Sequence, residues 1–272
     1  MKMHIERHIK IFIFLAVLLF LLLFNILPVY AQSLIVVSGY PLFSLVKSLF
    51  PQAKIYSILP PRGDFHHHEL RPKDLENIKQ ADLVLLVGSE PWAKRVFKLK
   101  PKGILSLAKP DEKLPDTHVW FKLERIERLL EELSGFADKS NVESLLAELK
   151  GLKAERESLA VCQNKVFYHL GHKVFYYLIE GSGVEEVPLV KGHHHGEISP
   201  GSLMKFLKEM EAKNVKRVVL SSSEFIRYEK YFKSKGYEII RAYSGDEPIN
   251  MSYPEFIRHN ILAIKKALHC EK

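Results

Sequence analysis

Short, continuous apolar runs alternate with helix-like segments along most of this chain, and this alternation limits the fold more than any other feature. The runs are Leu34–Val37, Ile55–Leu59, Leu83–Val87, Ile104–Leu107, Val166–Tyr168, Val215–Leu220 and Tyr237–Ala242. Several are rich in Val and Ile, which is typical of strands buried on both faces of a mostly parallel sheet. Helix start signals lie between them, such as Ser199-Pro200 and the capping-box spacing of Ser252 and Glu255. The sequence therefore predicts an α/β fold.

The pattern changes between residues 123 and 159, where no strand-like run occurs and Glu, Leu, Lys and Ala dominate. Strand-like runs lie on both sides of this segment, so the simplest architecture has two lobes. Each lobe is a mostly parallel sheet flanked by helices, and a long connecting helix joins them. We expect an N-terminal lobe at 32–122, a helical connector at 123–159 and a C-terminal lobe at 160–272. The cleft between two lobes is a natural ligand site.

Residues 1–31 have the layout of a secretory signal peptide. Lys2, Arg7 and Lys10 are basic, an apolar run extends from Ile11 to Leu27, and Val29-Tyr30-Ala31 resembles a cleavage site. As a helix the apolar run would reach ~25 Å, so an uncleaved membrane anchor is the alternative. Both interpretations place the remaining chain outside the cytoplasm, in a periplasmic or equivalent extracytoplasmic location.

Charge and cysteine content exclude some functions. The formal net charge is +8, but the basic residues are spread along the chain without interleaved aromatics, so we expect no nucleic-acid partner. The two cysteines, Cys162 and Cys270, are too few for a Cys-only zinc site. In an oxidising compartment they could form a disulfide, and the sequence leaves this open.

Histidine is the unusual component, with 13 residues that are clustered. His66, His67 and His68 follow a strand-like run, and ligands of α/β sheets bind at the carboxyl ends of strands. A solvated loop is the alternative, but three adjacent histidines favour metal binding. His118 precedes the connector, and His169 ends another strand-like run.

The segments around His66, His118, His169 and Asp246 therefore place a histidine or a carboxylate at the ends of four different strands or loops, two from each lobe. Three neutral imidazoles and one carboxylate suit a tetrahedral zinc site. Imidazole-rich sites favour Zn, Cu, Ni or Co over Mg and Ca, whereas Mn prefers more carboxylate. Glu247 directly follows Asp246 in the last of these segments, and His172 either flanks the site or faces water.

Further histidines are candidates for an auxiliary, low-affinity role. These are His67 and His68, with the separate triplet His193, His194 and His195. A solvated loop is an equal alternative for the triplet, because His-rich tracts are only a compositional signal.

The motifs around these histidines resemble a known family. His66-x-x-Glu69-Leu70-Arg71-Pro72-x-Asp74 is similar to the first ligand loop of the metal-specific solute-binding proteins of ABC transporters, the zinc- and manganese-uptake group typified by ZnuA and TroA. Asp116-x-His118-Val119-Trp120 is similar to their second motif, and Phe167-Tyr168-His169 with Phe175 to their third. Glu197-x-Ser199-Pro200 and the segment from Tyr253 to Leu268 resemble two later helices of the family.

The resemblance implies two α/β lobes bridged by one long helix, with the metal buried between them. It implies His66, His118, His169 and Asp246 as ligands, and a histidine at the third position resembles the zinc branch. The chain departs from the family where His169-Leu170-Gly171 replaces His-Asp-Ala, and where the region after Asp246 is shorter.

We therefore expect an extracytoplasmic solute-binding protein that captures Zn²⁺, as transported ligand, and delivers it to an ABC-transporter permease with its cytoplasmic ATPase. We expect a monomer and no enzyme activity. Alternatives are a receptor of the same type for Mn, Ni, Co or Cu, a secreted zinc hydrolase, and a membrane-tethered metal buffer. A hydrolase needs an open coordination position and a general base. No His-Glu-x-x-His motif occurs, and Glu69 would serve as the base only if it points into the site.

Overall fold

The computed structural model describes residues 33–61, 63–192 and 198–271. The predicted signal segment, the triplet His193, His194 and His195, and Glu197 lie outside the described residues. Among the helices within the described ranges, none is long and apolar enough to cross a membrane.

The N-terminal lobe is built on a four-stranded parallel sheet with the order β2-β1-β3-β4. Its strands are β1 (Leu34–Val37), β2 (Lys54–Ser57), β3 (Leu83–Leu86) and β4 (Ile104–Ser106). Helices α1 (Tyr40–Leu49), α2 (Pro72–Gln80) and α3 (Ala93–Lys98) connect these strands. The parallel pairing requires such crossovers, because successive strands point the same way.

The central strands explain why the apolar runs are continuous. Leu83 and Leu85 of β3 enter one hydrophobic core, whereas Val84 and Leu86 enter another. Alternate side chains of a strand point to opposite faces. Both faces of this sheet are therefore covered, and each position of β3 is apolar.

Two helices occupy the segment predicted as connector. They are α4 (Leu123–Leu133) and α5 (Lys139–Glu157), and they pack against each other. The turn between them ends at Asp138, whose side chain accepts a hydrogen bond from the Ser140 backbone nitrogen at 2.8 Å and so caps α5. Helix α5, the longer of the two, also packs against α1 of the N-terminal lobe.

The C-terminal lobe repeats the topology of the first, with the strand order β6-β5-β7-β8 and parallel pairing throughout. Its strands are β5 (Val166–His172), β6 (Glu185–Val190), β7 (Arg217–Leu220) and β8 (Glu238–Arg241). Its helices are α6 (Tyr176–Ile179), α7 (Pro200–Ala212), α8 (Glu229–Ser234) and α9 (Tyr253–Ala267). The predicted N-cap Ser199 and the capping box of Ser252 and Glu255 are confirmed at the starts of α7 and α9.

A disulfide between Cys162 and Cys270, at a sequence separation of 108, closes the C-terminal lobe. It joins the segment that precedes β5 to the segment that follows α9. Because α9 also packs on α5, this bond fixes the end of the chain beside the connector.

Candidate metal centre

Three histidines from separate parts of the chain meet between the two sheets. His66 lies in the loop after β2, His118 in the loop after β4, and His172 at the end of β5. One ligand nitrogen of each lies within 4.8 Å of the others. The ring centroids are 5.1 Å apart for His66 and His118, 5.5 Å for His66 and His172, and 5.1 Å for His118 and His172.

The spacing of the ligand atoms suits a single metal ion. Nε2 of His118 and Nε2 of His172 are 3.1 Å apart. Two imidazole nitrogens that bind one zinc ion tetrahedrally, at about 2.0–2.1 Å each, lie about 3.3 Å from one another. A shift of a few tenths of an ångström would therefore bring both nitrogens into zinc-binding geometry.

Asp116 orients His118. Its Oδ1 accepts a hydrogen bond from the His118 backbone nitrogen at 2.8 Å and lies 2.7 Å from His118 Nδ1. A carboxylate only accepts, so Nδ1 carries the proton and Nε2 keeps its lone pair for a metal. Both side chains are buried, and the contact with the carboxylate fixes the His118 ring in the tautomer that can bind a metal through Nε2.

His66 is held by a similar local turn. Asp64, two residues earlier, accepts a hydrogen bond from the His66 backbone nitrogen at 2.8 Å. Between them, Phe65 is buried with its ring edge-on to Trp120 at a centroid distance of 5.0 Å. Phe65 thus anchors the loop while His66, which is half-buried, faces the cleft.

The third predicted ligand, His169, is not part of the histidine cluster, and His172 takes its place beside His66 and His118. The strand extends to His172 rather than ending near His169, so the strand-end position belongs to the later histidine. Both ring nitrogens of His169 are engaged: Nδ1 lies 2.7 Å from Glu186 Oε1, and Nε2 lies 2.7 Å from Ser221 Oγ. The apolar residue Leu170 was the sequence signal that the strand continues.

The predicted carboxylate lies beside the histidines. Asp246 lines a cavity of about 300 Å³ whose walls also include His66 and His172. Among the described residues, the group that could hold a metal comprises the three histidines, with Asp246 adjacent to it. Its neighbour Glu247, which lines the same cavity, accepts hydrogen bonds from Ser223 N and Ser223 Oγ, both at 2.7 Å, and so caps the 3₁₀ segment Ser223–Tyr228.

The auxiliary candidates next to His66 point elsewhere. The side chain of His67 is 55% exposed, with Nδ1 2.5 Å from Asp64 Oδ2. The ring of His68 turns towards Asp74, with 3.7 Å between Nε2 and Oδ2, and burial lowers the pKa of this imidazole. Their auxiliary metal role remains a prediction.

The loop that carries His118 is fastened to the C-terminal lobe. Tyr177 donates a hydrogen bond from its hydroxyl to the Asp116 carbonyl at 2.9 Å, and Tyr253 does the same to the Trp120 carbonyl at 2.7 Å. Trp120 Nε1 donates to the Ser244 carbonyl at 2.9 Å. Burial raises the pKa of Tyr177 to about 12 and also raises the pKa of Tyr253. Both hydroxyls therefore keep their protons. These bonds fix the position of the His118 loop relative to the C-terminal lobe, which carries His172.

Two parallel-sheet α/β lobes with imidazoles converging between them define a metal-binding solute-binding protein. The chain belongs to the ZnuA family, "Zinc-uptake complex component A periplasmic", whose family model matches residues 35–267. The family and the fold class predicted from the sequence are thereby confirmed. This family is a substrate-binding component of transport rather than a known enzyme family.

Solved structures share the fold. The Zn(II)-bound ZnuA-like domain of Streptococcus pneumoniae AdcA matches with a TM-score of 0.70 and 19% identity, covering 89% of this chain and 100% of that one. The periplasmic zinc binding protein TroA from Treponema pallidum matches with a TM-score of 0.69 and 18% identity, covering 88% and 99%. A relative in Chlamydia muridarum, whose name assigns metal binding provisionally, is 24% identical over 281 residues, covering 92% of this chain and 98% of its own.

Proposed function

We propose that this chain is the extracytoplasmic zinc receptor of an ABC uptake system. It binds Zn²⁺ between its two lobes and delivers the ion to a membrane permease driven by a cytoplasmic ATPase. The observation that carries this proposal is the convergence of His66, His118 and His172, with the His118 tautomer set by Asp116.

The third ligand in this proposal is His172, not His169. His172 Nε2 faces His118 Nε2 at 3.1 Å, whereas both nitrogens of His169 are held by other side chains. Asp246 is the proposed fourth ligand, because Glu247 is already engaged at the start of the 3₁₀ segment.

The donor set supports zinc over manganese, magnesium and calcium. Three imidazoles and one carboxylate are a borderline-soft set that Zn²⁺ accepts in tetrahedral geometry. Mn²⁺ prefers more oxygen ligands, so a manganese receptor would need further carboxylates in the shell. Two proteins with the same fold support this choice: the AdcA domain was solved with Zn(II) bound, and TroA is a zinc-binding protein.

The proposal places the working protein outside the cytoplasm as a monomer without enzyme activity, exported by residues 1–31. Glu69, the candidate general base of a hydrolase, is solvent-exposed and is not among the described residues that line the cavity beside the histidines. The lobe and connector boundaries at 32–122, 123–159 and 160–272 remain part of this proposal.

The test is metal binding by the mature chain, residues 32–272, followed by growth of the producing organism on chelated zinc. Native mass spectrometry with metal analysis should find one tightly bound Zn²⁺ per chain. Deletion of the gene should impair growth under zinc limitation, and wild type but not His118→Ala should restore it. A chain that binds zinc but is dispensable for growth on chelated zinc would point to a metal buffer. Turnover of esters or peptides by the zinc form would point to a hydrolase.

A further inference from the structure

Strand β5 contains an irregularity between its two histidines. His169 pairs with Pro188 of β6, but the next paired position joins His172 to Val190, so β5 has one more residue than β6 in this interval. In a regular strand two residues three apart point to opposite faces. The extra residue restores His169 and His172 to the same side, and bulges of this kind re-aim side chains next to functional sites. Pro188 has no N–H to donate, which favours a bulge at this position.

The ring of His169 lies against the backbone inside this bulge. A Cβ built on Gly171 would come within 2.8 Å of His169 Nε2 and 2.9 Å of its Cε1. The φ angle of Gly171 is not positive, so the backbone itself would accept an L-residue. Glycine is therefore required at position 171 by the close approach of the imidazole and not by backbone conformation.

A buried hydrogen-bond network holds the His169 ring and also bonds to the backbone that follows His172. His169 Nδ1 donates to Glu186 Oε1, and Ser221 Oγ donates to Nε2, both at 2.7 Å. Glu186 also accepts from the backbone nitrogens of Val174 at 3.1 Å and Phe175 at 2.9 Å. The network therefore holds the chain three residues before His172 and two to three residues after it.

We propose that His169 is a positioning residue which, with Glu186 and Ser221, aims His172 at the metal. This inference rests on the proposed metal-binding function. The order of carboxylate, imidazole and hydroxyl is that of hydrolytic triads. However, His169 is fully buried, and Ser221 is 7% exposed and is not one of the described cavity-lining residues. Burial of the whole set favours positioning over reaction with a substrate.

The test uses Gly171→Ala and Ser221→Ala in the mature protein, with Zn²⁺ affinity measured by chelator competition. Gly171→Ala displaces the His169 ring, and Ser221→Ala removes one of its two side-chain hydrogen bonds. Each change should weaken Zn²⁺ binding, by at most the about 10–100-fold that follows loss of a group bonded directly to a metal ligand. The matched control is Gly151→Ala, because a Cβ at Gly151 has nothing within 4 Å, and it should bind zinc as wild type does.

A double-mutant cycle separates positioning from a general structural effect. If His169 acts through His172, Gly171→Ala should change the affinity of the His172→Ala protein by no more than about twofold. The proposal is overturned if both single variants bind zinc as tightly as wild type, or if Gly171→Ala costs as much in the His172→Ala background. Lower thermal stability of the metal-free variants with unchanged affinity also overturns it. Absence of zinc binding by wild type would instead refute the proposed function.

Discussion

Asp116 accepts two hydrogen bonds from His118, from the backbone nitrogen at 2.8 Å and from Nδ1 at 2.7 Å, through the same carboxylate oxygen. The carboxylate thus fixes both the position of the loop and the tautomer of the ring. It also adds negative charge next to an imidazole that would bind a cation, which raises the basicity of the ligand.

Asp116→Asn should therefore weaken zinc binding about 10–100-fold. The amide oxygen can still accept the backbone hydrogen bond, so the fold should persist while the charge is lost. Chelator competition measures the affinity, and thermal unfolding of the metal-free variant checks the fold. Asp111→Asn is the control, because the Asp111 side chain is 73% exposed and pairs with Lys94 away from the site. Equal affinities of Asp116→Asn and wild type would mean that Asp116 has only a structural role.

Replacement of the proposed ligands should reduce zinc affinity strongly, whereas replacement of the neighbouring and auxiliary histidines should not. His118→Ala and His172→Ala should each lose tight zinc binding, because each removes one of three converging nitrogens. His67→Ala should bind nearly as wild type does, since its side chain is mostly exposed and contacts Asp64. His194→Ala should also change affinity little if the triplet at 193–195 is auxiliary. Isothermal titration with a competing chelator measures all four, and a comparable loss in His67→Ala would contradict the assignment.

The affinity should depend on pH through competition between protons and zinc for the same nitrogens. A free imidazole titrates at about pH 6.5, so binding should weaken progressively as the pH falls below this value. Each ligand that must lose a proton steepens the dependence. Measurement of the zinc dissociation constant from pH 8 to pH 5 checks the expectation, and an unchanged constant at pH 5 would argue against histidine ligands.

The fold could be predicted from the sequence because its signals are local. The continuous run of β3 reflects burial on two faces, and the capping box of α9 is set by Ser252 and Glu255 alone. The lone histidine at 118 follows Asp116 by two residues, so their contact is also local. In contrast, two packed helices in the connector depend on where a turn forms, and composition indicates only that the segment is helical.

The third histidine of the site could not be identified from local sequence signals. Choosing between His169 and His172 requires the bulge in β5, which arises from pairing with Pro188 on another strand. The ring of His169 is hydrogen-bonded to Glu186 and Ser221. These two residues lie 17 and 52 positions away from His169 along the chain. Neither partner can be identified from the motif around His169, so the sequence suggested a histidine on this segment but not the one in the cluster.

The ion pair of Glu112 with Arg125 should stabilise the loop after β4 in a pH-dependent manner. The hydrogen bond from Arg125 lowers the pKa of Glu112 to about 2, and Arg125 also donates to the Leu107 carbonyl at 2.7 Å. An unfolded glutamate titrates near about 4.3, so the stabilisation is fully present above that pH and is lost as the pH falls towards 2.

Glu112→Gln should lower the free energy of unfolding at pH 7 by at most about 1 kcal/mol, because the pair lies at the surface and is partly solvated. The difference from wild type should shrink as the pH falls from about 5 and vanish near pH 2. Urea unfolding at several pH values measures this. Glu132→Gln, in a longer and exposed pair with Arg128, is the control. A difference that grows on acidification would contradict the direction of the pKa shift.

Loss of the disulfide should reduce stability without reducing metal affinity. The bond between Cys162 and Cys270 closes a loop with a sequence separation of 108, and bonds that close long loops typically contribute about 2–5 kcal/mol by restricting the unfolded chain. Both cysteines lie outside the loops and strand ends that carry His66, His118 and His172. The double variant Cys162→Ser/Cys270→Ser should therefore unfold at lower urea concentration, while its zinc dissociation constant stays within about twofold of wild type. A fall in affinity that matches the fall in stability would mean that the C-terminal tether, through α9 and α5, also sets the spacing of the two lobes around the metal.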